Sequence, residues 1–394
     1  MSYLDPTDIQ GFALRGYNFP VARFLFLRFP DAKRGREFLS WTLGKITHGG
    51  HWPKDEKQCI RKPAVTHNIA FTYAGLAALG VPPASLQGFP VEFIQGMRAR
   101  HKILGDIGKN APEHWEPLWQ GQPVHTWLAT YAQEQQALAD TQAAIEAHGA
   151  EIIGSQDAAK LVIDGARSEK EHFGFTDGFG NPDYLGMERH TQPGQGKIAP
   201  GNGWAPLATG ELLLGYADEA GEWPVAPLPH LLANNGTFLV YRKLHQNVAS
   251  FRAYMKERGR LYPGGEEKLL AKFVGRWPDG TPLELSPERE DPAIVKDDNR
   301  NVDFTYGKDL EGTRCPLSAH IRRTNPRDAF GFEGRLVNRR ASVSRVRILG
   351  VPLNCSDRFC RSDPTSRDRQ NLYLPQAHCR LRVRYPVRSS QRCK

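Results

Sequence analysis

An acidic residue in a glycine-bracketed aromatic loop is the first place where this sequence could do chemistry. Asp177 lies between Gly174 and Gly178, and the same stretch holds Phe173, Phe175 and Phe179. Glycine adopts backbone conformations that other residues resist, so the chain can bend tightly and aim the carboxylate at one point. Apolar neighbours make ionisation costly and can tune the pKa of Asp177. The side chain is therefore either a proton-transfer group or the cap of its own Asp-Gly turn.

A second distinctive segment surrounds a histidine further along the chain. Residues 315–328 read CPLSAHIRRTNPRD, with the histidine at position 320. This segment resembles the haem-ligand segment of dye-decolourising peroxidases, and GFTDG at 174–178 resembles that family's G-x-x-D-G motif. Further matches follow the family's order at 8–11 (DIQG), 68–76 (NIAFTYAGL) and 235–246 (NGTFLVYRKLHQ). The resemblance covers about residues 8–340.

The resemblance implies a haem-dependent peroxidase that uses hydrogen peroxide to oxidise dyes, phenols or other one-electron donors. His320 would bind the iron of one haem b per chain, since histidine is a standard proximal ligand. Asp177 would stand over the other face and move the peroxide proton, first as base and then as acid. Because carboxylates have lower reference pKa values than imidazole, we expect such a site to work best in acid. Arg327 would pair with a haem propionate, with a plain surface arginine as the alternative.

The cation that such a site needs is not assigned from the sequence. In the family, a distal arginine in an R-R-G segment stabilises the charge on the departing oxygen. Four arginines lie near the matching distance after the ligand histidine, but none has a matching context: Arg339, Arg340, Arg345 and Arg347. A non-catalytic haem-binding protein is therefore the first alternative to a peroxidase.

The last 54 residues differ from the rest of the chain. Residues 341–394 contain eleven Arg and one Lys against three Asp and no Glu, and four of the six cysteines. They show no sustained helical or strand periodicity. We interpret this tail as the product of a changed reading frame, with a divergent but genuine C-terminus as the alternative. An inactive product of a frame-shifted peroxidase gene is thus the second alternative function, and we predict weak or no activity for this form.

Composition excludes several classes of function. The tail accounts for the whole net charge of +9, so the preceding 340 residues carry no excess charge with which to bind nucleic acid. No apolar run approaches the ~18 residues of a spanning helix, and residues 1–6 lack a signal-peptide pattern, which predicts a cytoplasmic protein without a membrane partner. The spacing of Cys355, Cys360 and Cys379 matches no structural zinc pattern well. A homo-oligomer is left open.

The pattern of elements predicts an α+β protein of two ferredoxin-like (βαββαβ) units with antiparallel sheets, the second of them incomplete. We place the N-terminal unit at 1–180, a haem-binding C-terminal unit at 181–340 and the anomalous tail at 341–394. In the first unit we predict strands at 22–29, 67–73, 124–131 and 161–163, a helix after Asp31 with Phe38, Leu39, Leu43 and Ile46 on its apolar face, and a helix at 133–148. In the second we predict strands at 211–216, 237–242 and 318–323, a helix at 245–255 and a surface excursion at 278–303.

Overall fold

The computed structural model of the chain describes residues 4–180, 182–187, 191–199, 201, 203–325, 327–328 and 347–348. The α-helices are α1 (Gly11–Leu14), α2 (Ala32–Leu43), α3 (Tyr73–Ala78), α4 (Pro83–Leu86), α5 (Val91–Ala99), α6 (His101–Leu104), α7 (Pro117–Gln120), α8 (Gln135–Ala147), α9 (Val248–Gly259), α10 (Gly265–Val274), α11 (Pro292–Val295) and α12 (His320–Thr324). The strands are β1 (Val21–Arg28), β2 (Val65–Phe71), β3 (Thr126–Ala132), β4 (Glu151–Ala159), β5 (Val162–Ile163), β6 (Ala166–Arg167), β7 (Lys197–Ile198), β8 (Trp204–Ala205), β9 (Leu239–Val240) and β10 (Arg347–Ile348). Short 3₁₀ helices lie at Pro6–Asp8, Gly108–Asn110, Pro112–His114, Thr209–Glu211 and His230–Leu232.

One four-stranded antiparallel sheet organises the first unit. Its strand order is β2-β3-β1-β4, with β1 paired to both β3 and β4. With α2 after β1 and α8 after β3, this is the βαββαβ order of a ferredoxin-like unit. The α+β class and the ferredoxin-like organisation predicted from the sequence are therefore confirmed for this part of the chain.

Alternation along β1 directs its side chains to two separate cores. Leu25 and Leu27 point to the helix-covered face, where they pack with Phe38 of α2 and Ile145 of α8. Asp31 begins α2 as predicted, because its carboxylate accepts the backbone N–H of Arg34 at 2.9 Å. On the predicted apolar face of α2, Phe38 is fully buried and Leu39 and Ile46 pack at the margin, but Leu43 is 77% exposed and does not contribute.

The opposite face of the sheet is covered by aromatic residues and by the second half of the chain. Phe24 and Phe26 of β1 pack there with Trp127 of β3. Leu239 and Tyr241 from the second half lie against this cluster, with the Tyr241 ring 5.3 Å from that of Phe26. Both faces of the sheet are therefore buried, and the two halves share one core.

The predicted last strand of the first unit was misplaced. The fourth strand of the sheet is β4 (Glu151–Ala159), whereas residues 162–163 form only a two-residue hairpin with Ala166–Arg167. β4 lies at the sheet edge and is mostly half-exposed, so it carries Gly154, Ser155 and Gln156 where a buried strand would carry apolar side chains. Its polar composition therefore hid it from a hydrophobic pattern.

The second half contains only short strands among the described residues. The predicted strand at 211–216 is a 3₁₀ turn (Thr209–Glu211) followed by irregular chain, and the one at 237–242 is reduced to β9. β9 pairs in parallel with β10. The strand predicted at 318–323 is instead α12. The helix predicted at 245–255 is confirmed, with α9 at Val248–Gly259, while α10 was not predicted.

The segment at 278–303 is part of the second core rather than a surface excursion. Leu283 is fully buried in one cluster with Trp277 and Phe304, and Ile294 and Val302 are also buried. Prolines and charged residues made this segment read as a loop, but its apolar residues are spaced so that one side packs inward. No helix in the described ranges is both long and apolar enough to cross a membrane.

The tail lies almost entirely outside the described residues, which there include only Arg347–Ile348. The proposed unit boundaries at 180 and 340 stay predictions. The candidate arginines at 339, 340 and 345, the side chain of Arg347 and the tail cysteines also lie outside the described residues.

Candidate active site

The loop that carries Asp177 is shaped by one glutamate and two glycines. The carboxylate of Glu171 accepts the backbone N–H groups of Phe173 at 2.9 Å and Phe175 at 3.0 Å. Gly174 and Gly178 have φ angles of +105° and +91°, in the left-handed region that residues with a β-carbon disfavour. The G-x-x-D-G spacing thus sets a tight backbone path on either side of Asp177.

The Asp177 carboxyl group has an asymmetric environment. Its Oδ1 accepts the backbone N–H of Gly178 at 2.6 Å, as in an Asp-Gly turn, whereas no described residue donates a hydrogen bond to Oδ2. Burial is the main cause that raises the pKa of Asp177, to about 6, and the charge of Glu171 adds to it. The Gly178 N–H and the charge of Arg276 act in the opposite direction. This pKa is near that of imidazole. The shift of activity toward acidic pH that the reference pKa of a carboxylate predicts is therefore smaller than we expected from the sequence.

The raised pKa has a consequence for stability. The folded state holds the Asp177 proton more tightly than the unfolded state, whose carboxyl pKa is near 3.8. The contribution of Asp177 to the free energy of unfolding therefore declines as pH rises from about 4 to 6 and stays low above that. We expect Asp177→Asn to gain stability relative to the parent across this window, measured as Tm from pH 4 to 8. Asp140→Asn, at an exposed site on α8, is the control; an offset for Asp177→Asn that does not change with pH would contradict the expectation.

The loop is attached to the second half of the chain at two points. The Phe173 ring lies 4.6 Å from the ring of Phe251 on α9. Both the backbone N–H and the hydroxyl of Thr176 donate to the carbonyl of Pro278 at 3.1 Å. The position of Asp177 is therefore fixed by elements of the second half as well as by its own loop.

His320 is the first residue of α12, and it is exposed. Its helix is held by a buried ion pair, in which the Nη1 of Arg322 donates to Oδ2 of Asp309 at 3.0 Å. Arg322 also donates to the carbonyls of Cys315 and Asp309, both at 2.7 Å. The carboxylate of Asp309 in turn accepts the backbone N–H of Cys315, so the whole ligand segment is tied to one acid.

The Arg322–Asp309 pair should be essential to the ligand segment. Removing one partner of a buried ion pair leaves the other charge uncompensated and typically costs about 3–5 kcal/mol. We therefore expect Arg322→Met to lower the free energy of unfolding by about that amount, measured by urea denaturation. Arg323→Met, at the adjacent exposed position, is the matched control. Equal stability of the two variants would show that the pair does not hold the segment.

Arg327 is partly buried among aromatic rings and carbonyl groups. Its guanidinium carbon lies 3.9 Å from the centroid of Phe304 and 5.7 Å from that of Trp204. Its Nη1 donates to the carbonyls of Val302 and Phe304, both at 2.8 Å. Within the part of the chain that the structure describes, no carboxylate forms an ion pair with it.

Arg276 and Trp277 each pack with one of the two motif segments. Trp277 packs in one buried cluster with Ala319, the residue before His320. The guanidinium carbon of Arg276 lies 4.6 Å from the ring centroid of Phe179, two residues after Asp177. The His320 segment and the Asp177 loop therefore pack on adjacent residues of the chain. Arg276 was not predicted from the sequence; the signal that points to it is a single arginine between the apolar pairs at 273–274 and 277–278.

The residues present fit the haem that the sequence resemblance implies. His320 offers an accessible imidazole, Asp177 has an oxygen with no hydrogen-bond donor among the described residues, and Arg327 carries a positive charge without an ion-pair partner there. An imidazole ligand, a proton-accepting oxygen and a cation for a carboxylate are the donor set that a haem with propionate groups requires.

Comparisons with known proteins give the same family. A model of the DyP dimeric alpha+beta barrel domain matches residues 8–162. The chain is 33% identical to a dye-decolorizing peroxidase of Mycena epipterygia, over 82% of this chain and 60% of that protein. It is 31% identical to a multifunctional dye peroxidase of an Amycolatopsis species, over 82% of this chain and 66% of that protein. The chain thus spans only about 60% of the length of the fungal relative.

Solved structures resemble the same part of the chain. An ancestral D-type dye decolorizing peroxidase has a TM-score of 0.70 at 28% identity, with 83% of this chain and 70% of that chain covered. A dye-decolorizing peroxidase in complex with 2,6-dimethoxyphenol has a TM-score of 0.68 at 28% identity, with 82% and 71% covered. The motif segments, the ferredoxin-like sheet and these similarities agree with one another. The chain belongs to the family of dye-decolourising peroxidases.

Proposed function

We propose that this chain is a haem-dependent peroxidase that uses hydrogen peroxide to oxidise dyes, phenols or other one-electron donors. The observation that carries the proposal is that the Asp177 loop packs on Arg276 through Phe179, while the His320 segment shares a buried cluster with the next residue, Trp277. Relatives named as dye-decolorizing peroxidases, and the similar structure in complex with 2,6-dimethoxyphenol, support the substrate class.

In the proposed mechanism His320 would hold the iron through its imidazole, and Arg327 would pair with a propionate. The haem supplies the iron at which the oxygen–oxygen bond of the peroxide breaks. Asp177 would accept a proton at Oδ2 from one oxygen of the peroxide and return it to the other oxygen, which leaves as water. With a pKa of about 6, Asp177 is both ionised and protonated in appreciable fractions near neutral pH, which suits a group that must take and return one proton.

The experiment that tests the proposal uses the full chain incubated with haem. A peroxidase shows a Soret band and oxidises 2,6-dimethoxyphenol when peroxide is added. A non-catalytic haem binder shows the band without turnover, and a damaged gene product shows neither. The protein without haem and the free haem at equal concentration are the controls, because free haem has weak activity of its own.

The two alternatives rest on the tail, in which the family's pattern is lost after Arg340. Reading the coding DNA in all three frames beyond this point tests the interpretation of a changed frame. A chain with the tail restored from another frame should then exceed the present chain in solubility, haem loading and turnover. Equal values for both chains would show that the tail is a genuine C-terminus.

The finer features of the proposal stay predictions. They are one haem b per chain, a cytoplasmic location and the capacity to form a homo-oligomer. Haem loading measured against protein concentration, and the mass of the loaded protein in solution, test the first and the last.

A further inference from the structure

Arg276 is a buried cation that the family motifs leave without a role. It is only 7% exposed, and burial lowers its pKa to about 9. Its Nη1 donates to the carbonyl of Gly280 at 2.7 Å and to the backbone and side-chain oxygens of Asn301. Within the described ranges, no hydrogen bond from Arg276 goes to a carboxylate. A buried charge ordinarily has a partner of opposite sign.

Arg276 contacts the Asp177 loop through the ring of Phe179. The guanidinium lies on the ring of Phe179, and the same ring abuts Gly280, where a β-carbon would come within 2.0 Å of Cζ. Arg276 therefore holds both sides of this contact, the ring by a cation–π interaction and Gly280 by a hydrogen bond. Because Phe179 follows Asp177 by two residues, a displacement of the ring would move the carboxylate.

Charged side chains on several described elements approach the Asp177 loop. Glu171 lies within the loop and bonds its backbone, and Arg252 of α9 approaches it near Gly174, where a β-carbon would lie 3.6 Å from Nη2. Arg276 precedes Trp277 of the second-half core and contacts the loop at Phe179. Its charge lowers the pKa of Asp177, while the Asp177 charge raises that of Arg276. The neighbouring Arg327 acts on Arg276 in the other direction, as a like charge.

We propose that Arg276 is a positioning residue for Asp177: its guanidinium seats the Phe179 ring and supplies the positive charge that the Asp177 carboxylate faces. The importance of Arg276 for catalysis rests on the proposed function. Its effect on the position and pKa of Asp177 does not, because both are properties of the haem-free protein. Arg276 acts through Phe179 and through its charge, and it need not touch peroxide or haem.

The test measures the pKa of Asp177 directly in the haem-free full chain. Difference infrared spectra of the carboxyl C=O stretch are recorded as a function of pH, and the Asp177 band is assigned by its loss in Asp177→Asn. In Arg276→Gln, whose amide can still donate to Gly280, we expect the pKa of Asp177 to rise by about one unit. The ionised fraction at pH 6 would then fall from about one-half to about one-tenth.

Two further variants separate charge from packing. Arg276→Lys keeps the charge without the planar fork and should leave the Asp177 pKa closer to that of the parent than Arg276→Gln does. Arg289→Gln, at an exposed position in the same half, should leave it unchanged. An unchanged Asp177 pKa in folded Arg276→Gln would overturn the proposal, and so would equal shifts in the Gln and Lys variants. Because no haem is present, neither result depends on whether the chain is a peroxidase.

Discussion

Replacing Asp177 with asparagine is expected to slow the reaction of the haem-loaded chain with peroxide by about 100- to 10,000-fold, the usual contribution of a general acid–base group. Asparagine has nearly the same shape, and its Oδ1 can still accept the backbone N–H of Gly178 that Asp177 accepts at 2.6 Å. The variant should therefore keep the loop and bind haem as the parent does. It loses the oxygen that takes and returns a proton.

The measurement is the rate at which the haem spectrum changes after rapid mixing with peroxide. Glu169→Gln is the matched control, since it removes an exposed carboxylate from the same segment. Its side chain pairs with Lys160, and the substitution keeps the backbone carbonyl that accepts the N–H of Asp177 at 3.3 Å. A rate for Asp177→Asn within twofold of the parent would mean that another residue transfers the proton.

Replacing His320 with alanine is expected to abolish the Soret absorption of the loaded chain or to shift it strongly. The imidazole is the proposed axial ligand, and the exposed position of His320 at the start of α12 means that its loss removes little packing. The fold should therefore survive, as judged by circular dichroism. This separates the loss of a ligand from the loss of a structure.

His245→Ala is the matched control, because His245 is also exposed and lies just before α9. Adding free imidazole to His320→Gly should restore part of the haem absorption, since the small ligand can occupy the space of the missing ring. An unchanged haem content and spectrum in His320→Ala would eliminate His320 as the iron ligand.

Prediction from sequence worked where side-chain alternation and long apolar stretches coincide. β1 carries Phe24, Leu25, Phe26 and Leu27 in succession, so a buried strand could be predicted there, although the sequence indicated helices on only one face of its sheet and the structure buries both. β4 could not be found in this way, because an edge strand with exposed side chains needs no apolar pattern.

The candidate site shows the same division. Asp177 could be identified because the backbone on either side of it requires glycine, and these glycines stand close to it in the sequence. Arg276 could not, because its importance comes from Phe179 and Asn301, residues far from it in the sequence. The segment at 318–323, predicted as a strand, is a helix whose Arg322 forms a buried pair with Asp309, and a contact across thirteen residues leaves no local sequence pattern.

The pairing of β9 with β10 connects the tail at 341–394 to the aromatic core of the first unit. Leu239 and Tyr241 cover the aromatic face of the first sheet, and the backbone beside them is paired by residues 347–348, beyond the point where family character ends. Every residue except proline has both a backbone N–H and a C=O for strand pairing, so a sequence unrelated to the family can also form a paired strand. A gene that lost its reading frame here would therefore still encode a polypeptide with a paired strand at this place.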